Sequence, residues 1–203
     1  MTGSEVVAVW MDGAGGKALC AGGDIVQMHK SMVKHAGEGR NPFTEEYFAA
    51  EYVLDYRLHT SAIPVIVFGD GIVMGGGMGL LQGADFRLVT PRSRMAMPEI
   101  TIGLFPDVGG SWFLNRLPGR VGLFLGLTGV HINGREAVEI GMADRMVDAD
   151  ADSLLDALAE QDFADDEAEN RAVIYRLFKQ QAADMSDLPH PLIDHLPLIN
   201  RLC

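Results

Sequence analysis

The sequence predicts an α/β fold, because strand-like and helix-like segments alternate along the chain. Short apolar runs at residues 6–11, 65–68, 86–89 and 94–97 have the length and composition of buried strands. A helical pattern of apolar residues covers positions 45–60, between the first two runs. Strands that alternate with helices favour a mainly parallel sheet with right-handed crossovers.

The first part of the chain predicts a strand, a turn, a helix, a loop and a second helix. The strand at 6–11 runs into a glycine-rich turn at 12–16, and a helix-like stretch begins at Ile25. Residues 36–43 are typical of a surface loop, and Thr44-Glu45-Glu46 is typical of a helix start.

Glycine and proline mark the later elements. Pro64 opens the strand at 65–68, and Pro118-Gly119 breaks a helix that begins near Gly110. Short helices are expected at 122–127 and 135–140.

An acidic stretch suggests a boundary near residue 148. Residues 148–170 hold ten acidic side chains and no basic one, which is typical of a solvated helix face. We therefore divide the chain into a core at 1–148 and an acidic helical tail at 149–203.

Composition and charge narrow the classes of function. The 203 residues are 48% hydrophobic and carry a formal net charge of −12, which predicts a globular protein that binds neither nucleic acid nor an anionic membrane. Two cysteines are too few for a disulfide framework, and they favour a reducing, cytoplasmic setting. The six histidines show no metal-ligand spacing, so we predict no metal site.

A glycine cluster at 75–79 follows the strand at 65–68 and a turn at 69–71. Free backbone N–H groups at a helix start can hold an anion or a developing oxyanion. The alternative is tight packing alone. The spacing matches neither the dinucleotide nor the nucleotide-triphosphate fingerprint.

A second glycine turn stands at Cys20-Ala21-Gly22-Gly23-Asp24. Two such turns could each contribute one backbone N–H to the same oxygen, as an oxyanion hole requires. Cys20 is a nucleophile candidate, but no histidine lies near it in sequence, which favours a packing role.

Two carboxylates stand among apolar residues and prolines. Glu99 follows Met97-Pro98, and Asp107 follows Phe105-Pro106. Burial would raise their pKa values toward a range useful for acid–base chemistry, and the turn between them would let both face one cleft. The alternative is that each side chain caps a helix. Glu51, taken alone, is an ordinary exposed glutamate.

Together these segments resemble the crotonase (enoyl-CoA hydratase/isomerase) superfamily, and within it the 3-hydroxyisobutyryl-CoA hydrolase branch. The resemblance is carried by residues 17–25 (Lys-Ala-Leu-Cys-Ala-Gly-Gly-Asp-Ile), by 74–80 (Met-Gly-Gly-Gly-Met-Gly-Leu) and by 97–110, which contains Met-Pro-Glu and Phe-Pro-Asp-Val-Gly-Gly. It covers roughly residues 5–148, and only the combination of segments is specific.

The resemblance implies a spiral of ββα units and an acyl-CoA substrate. Two backbone N–H groups would hold the thioester oxygen, and they fall on Gly76 and on the Gly22-Gly23 turn, where Gly23 is favoured. The residues that would line the CoA site are Ala18, Ala21, Gly22 and Asp24.

The catalytic carboxylates distinguish the branches. Hydratases carry one glutamate just after the triple glycine, where this chain has Gly79, and their second glutamate matches Glu99. The hydrolase branch pairs that glutamate with an aspartate, here Asp107, and has a substrate-binding glutamate at Glu51. The resemblance therefore implies hydrolysis of a short-chain 3-hydroxyacyl-CoA, as in valine degradation.

Two alternatives stay open, an enoyl-CoA hydratase or isomerase and an inactive fragment that binds CoA. The resemblance implies no cofactor, because coenzyme A is part of the substrate, and it is compatible with a homo-oligomer. It also implies a chain that is shortened at both its N-terminus and its C-terminus.

Overall fold

The computed structural model describes residues 6–203 of the chain. The strands are β1 (Val9–Met11), β2 (Ala18–Cys20), β3 (Val65–Gly69), β4 (Ile72–Met74), β5 (Phe86–Val89), β6 (Arg94–Ala96), β7 (Ile132–Asn133) and β8 (Arg145–Met146). The helices are α1 (Ile25–Lys34), α2 (Pro42–His59), α3 (Gly76–Gln82), α4 (Gly110–Phe113), α5 (Val121–Thr128), α6 (Gly134–Glu139), α7 (Ala151–Ala159), α8 (Glu167–Gln180), α9 (Pro191–Asp194) and α10 (Leu196–Leu202). Single 3₁₀ turns cover Glu99–Ile102 and Leu114–Arg116.

The strands form two four-stranded sheets that the chain visits alternately. One sheet has the order β1-β3-β5-β8 with all strands parallel. The other has the order β2-β4-β6-β7, and only its β6–β7 pair is antiparallel. Asp70 and Gly71 alone separate β3 from β4, and Gly71 takes a left-handed φ of 67° to make that turn.

This alternation produces a spiral in which one strand of each sheet precedes a helix. The pattern is clearest in β3, β4 and α3, where strand, strand and helix follow with only short turns between them. The expectation of an α/β spiral of ββα units is confirmed.

Strand β3 lies at the centre of the core, and all five of its residues are buried. Side chains of a strand alternate between its faces, so Ile66 and Phe68 face one side and Val65 the other. Ile66 and Phe68 belong to a cluster that includes Leu154 of α7 and Phe178 of α8. Full burial of such side chains contributes about 1.5–3 kcal/mol each.

The acidic stretch behaves as predicted, because its charged side chains stay at the surface while α7 and α8 bury their apolar faces. Asp152 and Asp156 are exposed, whereas Leu154 is 1% exposed. The boundary at residue 148 stays a prediction, and the packing of α7 and α8 on β3 ties this region to the first sheet.

Several predicted bounds differ from the structure. The first strand begins at Val9 rather than residue 6, because its first ladder bond runs from Val9 N–H to the carbonyl of Pro64 (2.8 Å), just before β3 begins. Helix α2 begins at Pro42, inside the predicted loop at 36–43, because Asn41 accepts a hydrogen bond from Thr44 N–H and caps the helix.

Candidate active site

The two glycine turns lie against each other. A Cβ placed on Gly22 would lie 3.7 Å from the backbone nitrogen of Gly76, and one placed on Gly75 would lie 3.7 Å from Gly22 Cα. Gly22 has a φ of 98° and Gly75 a φ of 53°, conformations that favour glycine. Strands β2 and β4 are hydrogen-bonded neighbours, so the turns that follow them emerge at the same edge of the sheet.

Gly76 is the first residue of α3, so its N–H has no acceptor within the helix. Gly23 stands in the other turn, where a Cβ would lie 2.5 Å from the hydroxyl of Tyr47 and 2.8 Å from Met28 Cε. A side chain at position 23 would therefore displace the ends of Tyr47 on α2 and Met28 on α1.

Glu51 of α2 reaches the start of α3. A Cβ on Gly76 would overlap Oε1 of Glu51. The same Oε1 accepts a hydrogen bond from the Tyr47 hydroxyl at 3.0 Å. Burial raises the pKa of Glu51, the charge of Asp107 raises it further, and the bond from Tyr47 opposes the rise. Considered in sequence alone Glu51 is an ordinary surface glutamate, but the fold places it half-buried at the junction of the two turns.

Glu99 lies on the other side of the same junction. It begins the 3₁₀ turn that follows β6, it is 6% exposed, and a Cβ on Gly75 would lie 3.1 Å from its Oε1. Its Oε2 is buried and accepts no hydrogen bond within residues 6–203. Burial raises the pKa of Glu99, and Asp107 and Glu51 add to the rise. A buried carboxylate with a free oxygen is costly unless a ligand or a reaction uses it.

Asp107 joins this group through α2. The hydroxyl of Tyr52 donates a hydrogen bond to its Oδ2 at 2.7 Å. The capping alternative is wrong for both carboxylates. The residue that caps the 3₁₀ turn at Glu99 is Pro98, and the one that caps α4 is Gly109, and neither cap uses a side-chain hydrogen bond.

Asp55, one helical turn after Glu51, is a site feature that the sequence did not reveal. A Cβ on Gly79 would lie 2.9 Å from its Oδ1, 3.0 Å from its Oδ2 and 2.6 Å from Val108 Cβ. Both oxygens are buried without a hydrogen-bond partner in the described chain. Burial raises the pKa of Asp55 to about 6, and the charges of Glu51 and Asp107 contribute. The i, i+4 spacing of Glu51 and Asp55 was the available signal.

A cleft of about 360 Å³, called here the α2–α3 cleft, opens next to Tyr52, Asp55 and Gly79. Its walls come from α2, from α3 and from residues 108–113, and they are mostly apolar or aromatic. The lining side chains include Tyr52, Asp55, Tyr56, Val108, Trp112 and Phe113.

The residues predicted to line a CoA site are spread more widely. Gly22 lies at the junction of the turns, and Ala21 is exposed beside it. Asp24 is exposed, and its Oδ1 caps α1 by accepting the N–H of Gln27 at 3.0 Å. Ala18 lies in β2 and lines a different, polar cavity with Asp12. Their roles in binding stay predictions.

The remaining candidates add no further chemistry at this site. The Sγ of Cys20 accepts the N–H of Gly22 at 3.4 Å, so this thiol supports the turn. Within residues 6–203, no three His, Cys, Asp or Glu side chains are grouped to hold a metal ion. In the same part of the chain, no helix combines the length and the apolar character needed to cross a bilayer.

The sequence profile of the enoyl-CoA hydratase/isomerase family matches residues 2–203. The chain belongs to this family. Among its relatives, 3-hydroxyisobutyryl-CoA hydrolase, mitochondrial, of Xenopus tropicalis is 38% identical over 201 residues, which are 98% of this chain and 50% of the relative. The protein of the same name from Mus musculus is 45% identical over 146 residues, which are 72% of this chain and 37% of the relative. These likenesses confirm the crotonase superfamily and the hydrolase-branch resemblance.

Solved structures of this family share the fold. A carnitinyl-CoA dehydratase from Mycobacterium thermoresistibile superposes with a TM-score of 0.76 at 33% identity, over 97% of this chain and 53% of that one. An enoyl-CoA hydratase from Rhodobacter sphaeroides gives a TM-score of 0.72 at 34% identity, over 98% and 53%. The chain spans about half the length of the first curated relatives it matches.

Proposed function

We propose that this chain carries the catalytic half of a hydrolase for short-chain 3-hydroxyacyl-CoA thioesters, of the 3-hydroxyisobutyryl-CoA type. The observation that carries the proposal is the position of Glu99. Its buried carboxylate, with one oxygen unpartnered, lies against the junction of the two glycine turns. Relatives named 3-hydroxyisobutyryl-CoA hydrolase support the substrate class.

The backbone N–H groups of Gly76 and Gly23 would polarise the thioester carbonyl. The closeness of Gly22 to the Gly76 nitrogen supports a shared oxygen position between the turns. Donors of this kind act on the charge that develops in the transition state, and each typically changes the rate by about 10²–10³.

Glu99 would then attack the carbonyl carbon. The C–S bond breaks, coenzyme A leaves as a thiol after it takes a proton, and water hydrolyses the resulting mixed anhydride. The alternative role of Glu99 is general base toward a water that attacks directly. In either case Asp107, held by Tyr52, would orient the water or the substrate hydroxyl, and Glu51 would bind the hydroxyacyl part.

Hydration of an enoyl-CoA is the second candidate function, and the family and the solved relatives favour it. Hydration uses two groups to deliver water across a double bond. A side chain at position 79 has no room, because its Cβ would lie 2.6 Å from Val108 Cβ. The lack of room for a side chain, and so for a second catalytic glutamate, at position 79 supports hydrolysis over hydration. A CoA-binding chain without activity is the third candidate.

The test compares two reactions on the same protein. Release of free CoA from 3-hydroxyisobutyryl-CoA is followed with a thiol reagent, and hydration of crotonyl-CoA is followed by loss of the conjugated double bond. We expect CoA release that Glu99→Gln lowers by at least about 10²-fold, with the melting curve unchanged. Glu46→Gln, an exposed residue of α2, is the matched control. Hydration without CoA release would overturn the proposal, and binding of the thioester without either reaction would favour the inactive form.

Binding of acyl-CoA and assembly into a homo-oligomer belong to the same proposal. The absence of a cofactor and the cytoplasmic location stay predictions.

A further inference from the structure

Asp55 is a half-buried acid that the proposed chemistry does not use. Its two carboxylate oxygens are shielded from solvent and accept no hydrogen bond from the described chain. Burial of a carboxylate without a donor is costly, and such groups usually mark a missing partner. The Asp55 carboxylate therefore lacks a hydrogen-bond donor.

The side chains around Asp55 do not supply that donor. The Tyr52 hydroxyl already donates to Asp107, and the Gln82 amide nitrogen donates to the carbonyl of Met142 at 2.7 Å. Glu51 and Asp107 are the charged groups that raise the pKa of Asp55, and both are acids. No side chain of the described residues, including His59, Tyr56 and Trp112 of the same wall, donates a hydrogen bond to Asp55. A ligand in the α2–α3 cleft can supply that donor.

Helices α2 and α3 fix where that ligand atom would lie. Glu51 meets Gly76, and Asp55 meets Gly79, so the two acids of α2 follow the glycine face of α3. Positions three residues apart on a helix lie about 5–6 Å apart. The Asp55 carboxylate is thus one helical turn beyond the N–H that would hold the carbonyl oxygen. A hydroxyl oxygen three bonds from the carbonyl carbon lies up to about 3.7 Å from that carbon, and a hydrogen bond of about 2.7 Å from this oxygen covers the rest of the distance.

We infer that Asp55, rather than Asp107, binds the hydroxyl group of the acyl chain and makes the site selective for hydroxyacyl over unsubstituted acyl thioesters, which leaves Asp107 to orient the water. This inference rests on the proposed function for its substrate class. The hydroxyl donates a hydrogen bond to a carboxylate oxygen of Asp55 that has no other donor in the described chain. A methyl group in the same place excludes water from the carboxylate and donates no hydrogen bond to it. The site therefore binds a thioester that lacks the hydroxyl less well.

The experiment measures the ratio of kcat/KM between a hydroxylated thioester and its unsubstituted analogue. Values of kcat/KM are measured for 3-hydroxyisobutyryl-CoA and for isobutyryl-CoA, which lacks the hydroxyl, in the natural chain and in Asp55→Leu and Asp55→Asn. Leucine has a similar shape without an acceptor, whereas asparagine keeps one acceptor oxygen. We expect Asp55→Leu to lower the preference for the hydroxylated substrate by about 10–100-fold, and Asp55→Asn to keep most of it. Glu46→Leu, exposed on the same helix, is the control and should leave the preference unchanged.

A binding measurement separates this inference from the proposed function. Dissociation constants for the same two thioesters are measured by calorimetry in Glu99→Gln and in Glu99→Gln combined with Asp55→Leu. If the natural chain releases no CoA, the proposed hydrolysis fails, but a fall in the binding preference with Asp55→Leu still supports the inference. Equal losses for both thioesters, with an unchanged ratio, would show that Asp55 acts only on structure and would overturn it.

Discussion

The carboxylate of Asp55 occupies the space in front of Gly79, where a Cβ would lie 2.9 Å from Asp55 Oδ1. The side of α3 that faces the site therefore carries no side chain at Gly76 and Gly79. The acidic groups of the site come from α2 and from residues 99–107. The space that a side chain of α3 would need is filled from α2.

Gly79→Ala tests how tightly this space is filled. We expect the substitution to lower the free energy of unfolding by about 1–3 kcal/mol, because the new Cβ has no room beside Val108. Urea unfolding followed by circular dichroism measures the change. Gly126→Ala in α5 is the control, since a Cβ there meets side-chain atoms of Leu114 and Pro106 no nearer than 3.3 Å. Equal effects of the two substitutions would contradict the crowding at Gly79.

Asp55→Asn should stabilise the protein at neutral pH. The folded state raises the pKa of Asp55 from 3.8 to about 6, so the folded state keeps this proton at pH values where the unfolded state has lost it. Stability from this group is present below pH 3.8 and is lost as the pH rises through about 6. Asparagine does not ionise and escapes that loss.

The expected gain at pH 7.5 is about 1–2 kcal/mol, reduced from the full pKa shift because the residue is only half-buried. It should shrink toward zero at pH 4. Urea midpoints at the two pH values measure it, with Asp156→Asn on the exposed face of α7 as the control. A gain of the same size at both pH values would mean that ionisation of Asp55 is not the cause.

Tyr52→Phe removes the hydrogen bond that holds Asp107. We expect kcat for the thioester to fall about 10-fold, since a bond to a charged acceptor is worth roughly 1.5–3 kcal/mol and part of that acts on orientation. Tyr52 is 44% exposed, so the melting temperature should change little.

Tyr175→Phe is the matched control for that variant. Its hydroxyl accepts one hydrogen bond from Arg145 and lies on α8, outside the candidate site. A Tyr52→Phe variant with the kcat of the natural chain would show that the hydrogen bond from Tyr52 does not position Asp107 for the reaction.

Glu136 fastens α9 to the core. This side chain is 3% exposed, its Oε2 accepts the N–H of Asn133 at 3.0 Å, and its Oε1 accepts the N–H of Leu192 at 2.7 Å. Glu136→Ala would leave two buried donors without partners, so we expect a loss of about 2–4 kcal/mol in unfolding free energy. Denaturant unfolding measures it, and Glu167→Ala, exposed at the start of α8, should cost less than about 1 kcal/mol. A small loss at Glu136 would mean that water replaces these bonds.

The sequence predicted the parts of the site that depend on local geometry. Two glycine turns that each link a strand to a helix were predicted to act on one oxygen, and the structure does bring these turns against each other. The catalytic roles of Gly23, Gly76, Glu99 and Asp107 stay predictions.

What the sequence did not reveal depends on how α2 packs. Tyr52 and Asp107 are 55 residues apart, and their bond exists only because α2 lies against α3. An apolar helical pattern indicates that 45–60 is a helix, but α2 has both apolar and polar residues on several faces, so the pattern does not select the face that meets the site. Asp55 was missed for that reason.

The proposed backbone N–H donors and the walls of the α2–α3 cleft come from different parts of the chain, and this separation bears on how the protein could evolve. In the proposed mechanism, backbone N–H groups of the two glycine turns bind the carbonyl oxygen. Side-chain substitutions elsewhere in the chain do not remove these N–H groups. The cleft that would receive the acyl group takes much of its wall from one helix, α2. A few replacements along that helix could therefore give a new substrate preference to an inherited reaction.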